Sequence, residues 1–181
     1  MDIQDTKIEG VKIISPKVFG DKRGYFTESY HASRYQEVIG TDLTMVQDNR
    51  SFSKKGILRG LHFQKTQPQG KLAYCVMGSV FDVVVDIRPG SPTLGQWVGV
   101  ILDDETHRQL WVPPGLAHGF LVLSEEAIFE YKCTDYYLPA DEGSIQYDDP
   151  DLKIDWPVLD VEYQLSDKDR KAGSFADFTG S

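Results

Sequence analysis

The sequence is poor in cysteine: Cys75 and Cys133 stand alone and far apart, with neither metal-ligand nor redox spacing. Long apolar runs are missing, and none approaches the roughly 18 residues that cross a bilayer. The opening stretch, MDIQDTKIEG, lacks the basic and apolar regions of a secretory signal. These absences point to a reduced, cytoplasmic protein with no membrane partner. Basic residues are in deficit, 19 Lys and Arg against 28 Asp and Glu, for a formal net charge of −9. That balance excludes a general nucleic-acid or membrane-surface binder, which needs a basic footprint. No repeat, low-complexity tract or linker interrupts the chain, so residues 1–181 read as a single domain.

What is present is enough for a core. Hydrophobic residues make up 40% and charged residues 26%, close to an average globular protein and far from a disordered one. One local absence runs against the acidic whole. From Asn49 to Phe81 there is no Asp or Glu, while Arg50, Lys54, Lys55, Arg59, Lys65 and Lys71 all fall there. A small-anion site in this stretch is one reading; a chance cluster on a solvated face is the other.

Short β-type runs recur between turn signals such as Pro-Gly-Ser-Pro, Pro-Pro-Gly and Asp-Asp-Pro. They are Val11–Ser15, Tyr25–Tyr30, Ile57–Phe63, Leu72–Met77, Val80–Ile87, Trp97–Leu102, Gln109–Val112, Phe120–Leu123, Ile128–Cys133 and Ser144–Tyr147. His31–Ile39 and the piece after Ser166 look helical. The expectation is an all-β, antiparallel sandwich or barrel with a few short helices.

Two of the four histidines sit in recognisable frames. Gly56-x5-His62 and Pro113-x-Gly115-x2-His118 are the skeletons of the two motifs that build the metal site of a cupin barrel. The remaining ligands are replaced: Gln64 stands at the second His of the first motif, and Lys71 where its carboxylate belongs. A charged ammonium cannot ligate a metal, and an amide oxygen is a poor substitute for imidazole. The barrel is expected to remain and the metal to be lost.

The chain then resembles a specific family, the metal-independent, cupin-like dTDP-4-dehydrorhamnose 3,5-epimerases. The likeness is carried by Phe19-Gly-Asp-Lys-Arg23-Gly-Tyr-Phe-Thr-Glu28, Gln47-Asp48-Asn49, Leu58-Arg59-Gly-Leu-His62-Phe-Gln64 and Gln69-Gly-Lys71-Leu. It continues through Phe81-Asp-Val-Val-Val-Asp86, Gly115-Leu-Ala-His118-Gly-Phe, Glu130-Tyr131-Lys and Leu165-Ser-Asp-Lys168-Asp169, in order along nearly the whole chain. The resemblance implies a cupin-like jelly-roll barrel that inverts two stereocentres of dTDP-4-keto-6-deoxyglucose, with no cofactor and no metal. It implies His62 as base, Asp169 as the carboxylate that orients it, Lys71 beside the developing O4 oxyanion and Tyr131 as proton donor on the opposite face. Ser166-x-x-Asp169 also reads as a helix cap, so Asp169 can serve either or both ends.

By the same resemblance Arg59 takes the diphosphate, Tyr137 stacks on thymine, and His118 contacts sugar or phosphate. Arg23, Glu28, Gln47, Asp48, Asn49, Glu142 and Lys168 fall on further contact positions for the sugar nucleotide. Family members are homodimers whose N-terminal region reaches the neighbour, so Arg23 and Glu28 are candidates for the partner's site. Two other readings stay open: a 3- or 5-mono-epimerase of a related dTDP-ketosugar, and a non-catalytic sugar-binding cupin. The second would have lost the base, its partner or the acid, and all three are present.

Overall fold

A computed structural model describes residues 1–180. In chain order the strands and helices are β1 (Asp2–Asp5), β2 (Lys12–Ser15), β3 (Val18–Asp21), β4 (Gly24–Thr27), α1 (Ala32–Ile39), β5 (Gln47–Lys54), β6 (Leu58–Gln64) and β7 (Lys71–Met77). There follow β8 (Ser79–Asp86), β9 (Trp97–Asp103), β10 (Gln109–Val112), β11 (Leu116–Val122), β12 (Glu126–Cys133), β13 (Glu142–Ser144), α2 (Asp167–Arg170) and α3 (Phe175–Thr179). One sheet runs β1-β2-β10-β7-β12-β5 and a second β13-β6-β11-β8-β9, with their strand pairs antiparallel; β3 and β4 form a separate hairpin. The expected all-β, cupin-like architecture is what the chain adopts.

The two sheets face each other, and the side-chain period of two sorts each strand. Ala73 and Cys75 of β7, Val80 and Val84 of β8, Leu116, Phe120 and Val122 of β11, and Ala127 and Phe129 of β12 close the shared interior. The second sheet is covered on its other side too. Leu58, Leu61, Val83, Val85, Ala117 and Leu121 pack against Ile145, Leu152, Trp156 and Phe175 of the C-terminal region. This double burial explains β11, Leu-Ala-His-Gly-Phe-Leu-Val, in which every residue is buried. On the first sheet's outer face, α1 packs Tyr35 and Ile39 against Ile14, Leu72 and Trp111. Phe129 lies 1% exposed against Phe120 and is an anchor of this core; removing such a ring costs about 3–5 kcal/mol.

Several sequence boundaries shift. The strand expected at Phe120–Leu123 begins at Leu116 and so includes His118, and the one expected at Ser144–Tyr147 lies at Glu142–Ser144. Strands β1, β3 and β5 were not anticipated. β5, Gln-Asp-Asn-Arg-Ser-Phe-Ser-Lys, shows no apolar alternation because its inward positions, Gln47, Asn49, Ser51 and Ser53, are polar, and Ser51 lines a cavity between the sheets. β1 is exposed throughout and pairs with β2 alone.

Candidate active site

At one end of the barrel the interior row changes from apolar to polar. His62 of β6 and His118 of β11 stand directly opposite one another in register. Across from them, Lys71 of β7 is opposed to Cys133, and Tyr131 of β12 to Asn49. A cavity of about 190 Å³ opens between the sheets, lined by Ser51, Arg59, His62, Lys71, His118 and Tyr131 among others. It adjoins a cleft of about 470 Å³ that shares Arg59 and His62 and extends to Ser166, Lys168 and Asp169. The two strands approach closely here: a Cβ on Gly60 would lie 2.5 Å from the Gly119 Cα, so β6 and β11 need glycine at both positions.

Asp169 is far from His62 in sequence and is delivered by backbone pairing. The Leu58 amide donates to the Gln164 carbonyl at 3.0 Å, and the Gln164 amide to the Gly56 carbonyl at 2.8 Å. That edge contact lays Leu165–Asp169 beside β6. Ser166 caps α2, its Oγ accepting from the Asp169 amide and donating to Asp169 Oδ2 at 2.8 Å. The other oxygen, Oδ1, lies 2.6 Å from His62 Nε2. Asp169 is thus both cap residue and imidazole partner. Burial alone would raise its carboxyl, but the hydrogen bonds from His62 and Ser166 outweigh it and hold the pKa below the usual value. A carboxylate only accepts, so Nε2 carries the hydrogen and Nδ1 keeps the lone pair.

Lys71 lies with its ammonium 5.6 Å from the centre of the Tyr131 ring. Burial lowers its pKa, against the pull of nearby Cys133, Asp82 and Glu142. Burial also pushes the Tyr131 phenol up to about 12, so it is protonated at neutral pH. Arg59 is oriented by Ser53 Oγ, which accepts from Nε at 3.2 Å and Nη2 at 3.0 Å. Gln64 is committed to backbone: its amide donates to Gln67 and Tyr136 and accepts from Leu138. Among the described residues no group of three or more His, Cys, Asp or Glu side chains converges to hold a metal ion.

A rim of polar pairs continues outward from the cavity. Gln47 donates to Asn49 at 3.0 Å and accepts from the Tyr137 amide at 2.9 Å. The Tyr137 hydroxyl donates to Glu142 at 2.6 Å, and Lys168 pairs with the same carboxylate. Three expected residues are not in this set. The Asp48 side chain points to the opposite face of β5 and pairs with Lys132 at 3.0 Å, because alternate residues of a strand face opposite ways. Arg23 is held by Asp21 and Glu28 by Arg34, on and beside the β3–β4 hairpin, away from their own chain's cavity.

Sequence reasoning missed two groups. Asp82 is fully buried and lies 2.7 Å from His118 Nε2; its signal was a lone acid in the middle of the apolar run Val80–Val85. Ser53 was readable only from the alternation Gln47, Asn49, Ser51, Ser53, once β5 is known to be a strand.

A cupin-like barrel with a histidine–carboxylate dyad, a half-buried lysine and a tyrosine at its polar end defines an acid–base enzyme of that fold. The comparisons with known proteins agree. A family model described as dTDP-4-dehydrorhamnose 3,5-epimerase matches residues 5–177, and the chain belongs to that family. It is 55% identical over 173 residues to the enzyme of that description from Salmonella typhimurium, covering 95% of this chain and 94% of the relative. A crystal structure of dTDP-6-deoxy-D-glucose-3,5-epimerase from Legionella pneumophila, in complex with dTDP-4-keto-L-rhamnose, superposes with a TM-score of 0.94 at 56% identity, covering 98% of this chain and 96% of that one. A 3'-monoepimerase from Streptomyces bikiniensis, solved with dTDP-quinovose, shares the fold at 38% identity and a TM-score of 0.90, covering 97% of this chain and 89% of that one.

Proposed function

We propose that the protein epimerises dTDP-4-dehydro-6-deoxy-D-glucose at C3 and C5 to dTDP-4-dehydro-L-rhamnose, the step that commits the sugar to dTDP-L-rhamnose. The observation that carries this reading is the His62–Asp169 dyad facing Lys71 and Tyr131 in one cavity. The hydrogens at C3 and C5 flank the C4 ketone, so loss of either gives an enolate. His62 removes the proton through Nδ1, while Asp169 fixes the ring and stabilises the imidazolium formed. The electron pair moves to O4, where the Lys71 ammonium meets charge that exists only as the bond breaks. Tyr131 then gives its hydroxyl proton to the carbon from the other face, and the centre is inverted.

The rim serves the nucleotide. Arg59 suits diphosphate oxygens with its planar fork; Gln47, Asn49, His118, Glu142 and Lys168 complete the polar contacts, and Tyr137 stacks on thymine. The donor set is acid–base in character, and the reaction proceeds without metal or cofactor. The enzyme works in the cytoplasm as a homodimer in which the β3–β4 hairpin, with exposed Phe19, Tyr25 and Phe26, carries Arg23 and Glu28 to the neighbouring site. Proton NMR of the enzyme with the substrate in D₂O tests the reading. Exchange at both C3 and C5 with formation of the L-rhamno product is expected. Exchange and inversion at one carbon alone would make it a mono-epimerase, and neither would refute it.

A further inference from the structure

Two inversions on one bound sugar raise a requirement that the dyad, lysine and tyrosine do not meet. Each inversion leaves His62 with one proton too many and Tyr131 as a phenolate one proton short. The second inversion starts from the opposite state, so His62 must lose a proton and Tyr131 must regain one before it begins.

His118 stands where such a transfer would run. It lies opposite His62 in the β11–β6 register, and its ring meets that of Tyr131 edge-on with centres 6.4 Å apart. The ring is 5% exposed yet lines the cavity. Asp82 engages its Nε2 and leaves Nδ1 free of that contact. The two carboxylates differ. Asp169 has both oxygens bonded, one to His62 and one to Ser166. Asp82 is fully buried, and its Oδ2 has no hydrogen-bond partner among the described residues. A buried carboxylate with one oxygen unpaired by protein groups is costly and asks for a reason. An uncommitted charge beside His118 supplies one, because it supports the imidazolium whenever the ring holds an extra proton.

We infer that His118, held by Asp82, returns the proton from His62 to Tyr131 between the two inversions. Cationic His118 gives its Nδ1 proton to the Tyr131 phenolate oxygen, and the neutral ring then takes the proton carried by the His62 imidazolium. A water molecule in the cavity bridges each gap by accepting one proton and passing one on. Three groups exchange one proton and no charge is left over. Asp82 holds Nε2 throughout as a positioning residue.

The inference rests on the 3,5-epimerase reading, and the experiment separates the two. Asp82→Asn keeps the shape and an acceptor for Nε2–H but removes the charge. Full-length wild type and variant are given the substrate, singly and doubly inverted sugars are followed by proton NMR, and dTDP binding is measured by calorimetry. In the variant the rate of the second inversion relative to the first should fall about tenfold or more, the range of a single acid–base group. A singly inverted ketosugar should build up while dTDP affinity is kept. An unchanged ratio, or equal slowing of both inversions, overturns the relay. Should Asp82→Asn fail to fold, His118→Gln is read by the same ratio. Wild type that inverts one centre or none would instead overturn the 3,5-epimerase reading itself.

Discussion

Arg59 and Lys71 are cations in one cavity, yet they are expected to fail differently. In its proposed role Arg59, oriented by Ser53, binds a diphosphate whose charge does not change during reaction, so Arg59→Ala should raise KM and leave kcat nearly intact. In its proposed role Lys71 meets charge that appears only in the enolate, so Lys71→Ala should lower kcat by about 10²–10³-fold, the scale of losing one oxyanion donor. Steady-state kinetics of the two variants checks this, and equal effects on KM with kcat untouched would contradict it. His62 and Lys71 were legible in the sequence because the cupin spacing fixes which positions face inward. Asp82 was not, although it lies in one of the matching stretches, because its contact with His118 appears only when β8 and β11 are paired. Asp48 shows the converse: a matching tripeptide does not say which of its side chains turns inward.

Helix α2 is four residues long and owes its position to its cap and to the Gln164 pairing. Ser166→Ala removes the cap and the second hydrogen bond of Asp169 together. A lost cap costs about 0.5–2 kcal/mol, so a lower melting temperature is expected. The pH dependence has a definite sign. Asp169 titrates below its ordinary value in the folded protein, so its contribution to stability is present above the unfolded value and fades as pH falls through the folded one. With Ser166 gone the folded value rises toward the unfolded one, so the contribution at neutral pH shrinks and its loss in acid is complete at a higher pH. Melting curves from pH 7 down to about pH 2 should show the gap between wild type and variant narrowing once the pH falls below the ordinary carboxylate value; a gap independent of pH would leave Ser166 as a cap only. The Ser-x-x-Asp pattern was visible in the sequence, but its second job was not, since hydrogen bonding to His62 spans most of the chain. β5 escaped for a related reason. Hydrophobic alternation reports a strand only when its inner face is apolar, and here that face is Gln47, Asn49, Ser51 and Ser53.

On the scale of the whole molecule, Arg23 and Glu28 lie away from the cavity of their own chain, on or beside a hairpin that exposes Phe26 by 69% and Tyr25 by 59%. If the hairpin completes a neighbour's site, mixing Arg23→Ala with His62→Asn should restore activity to two inactive proteins. Random exchange makes half the dimers mixed, each with one intact site, so recovery should approach about a quarter of wild type. No recovery after subunit exchange would place Arg23 outside the neighbour's site. The central claim is the division of labour between His62 and Tyr131, and deuterium exchange into the substrate tests it most directly. Proton NMR in D₂O should show His62→Asn abolishing exchange at C3 and C5, since no enolate forms. Tyr131→Phe should still exchange, because His62 can deprotonate and the enolate can recapture a deuteron without inversion. Exchange in Tyr131→Phe as dead as in His62→Asn would contradict the account.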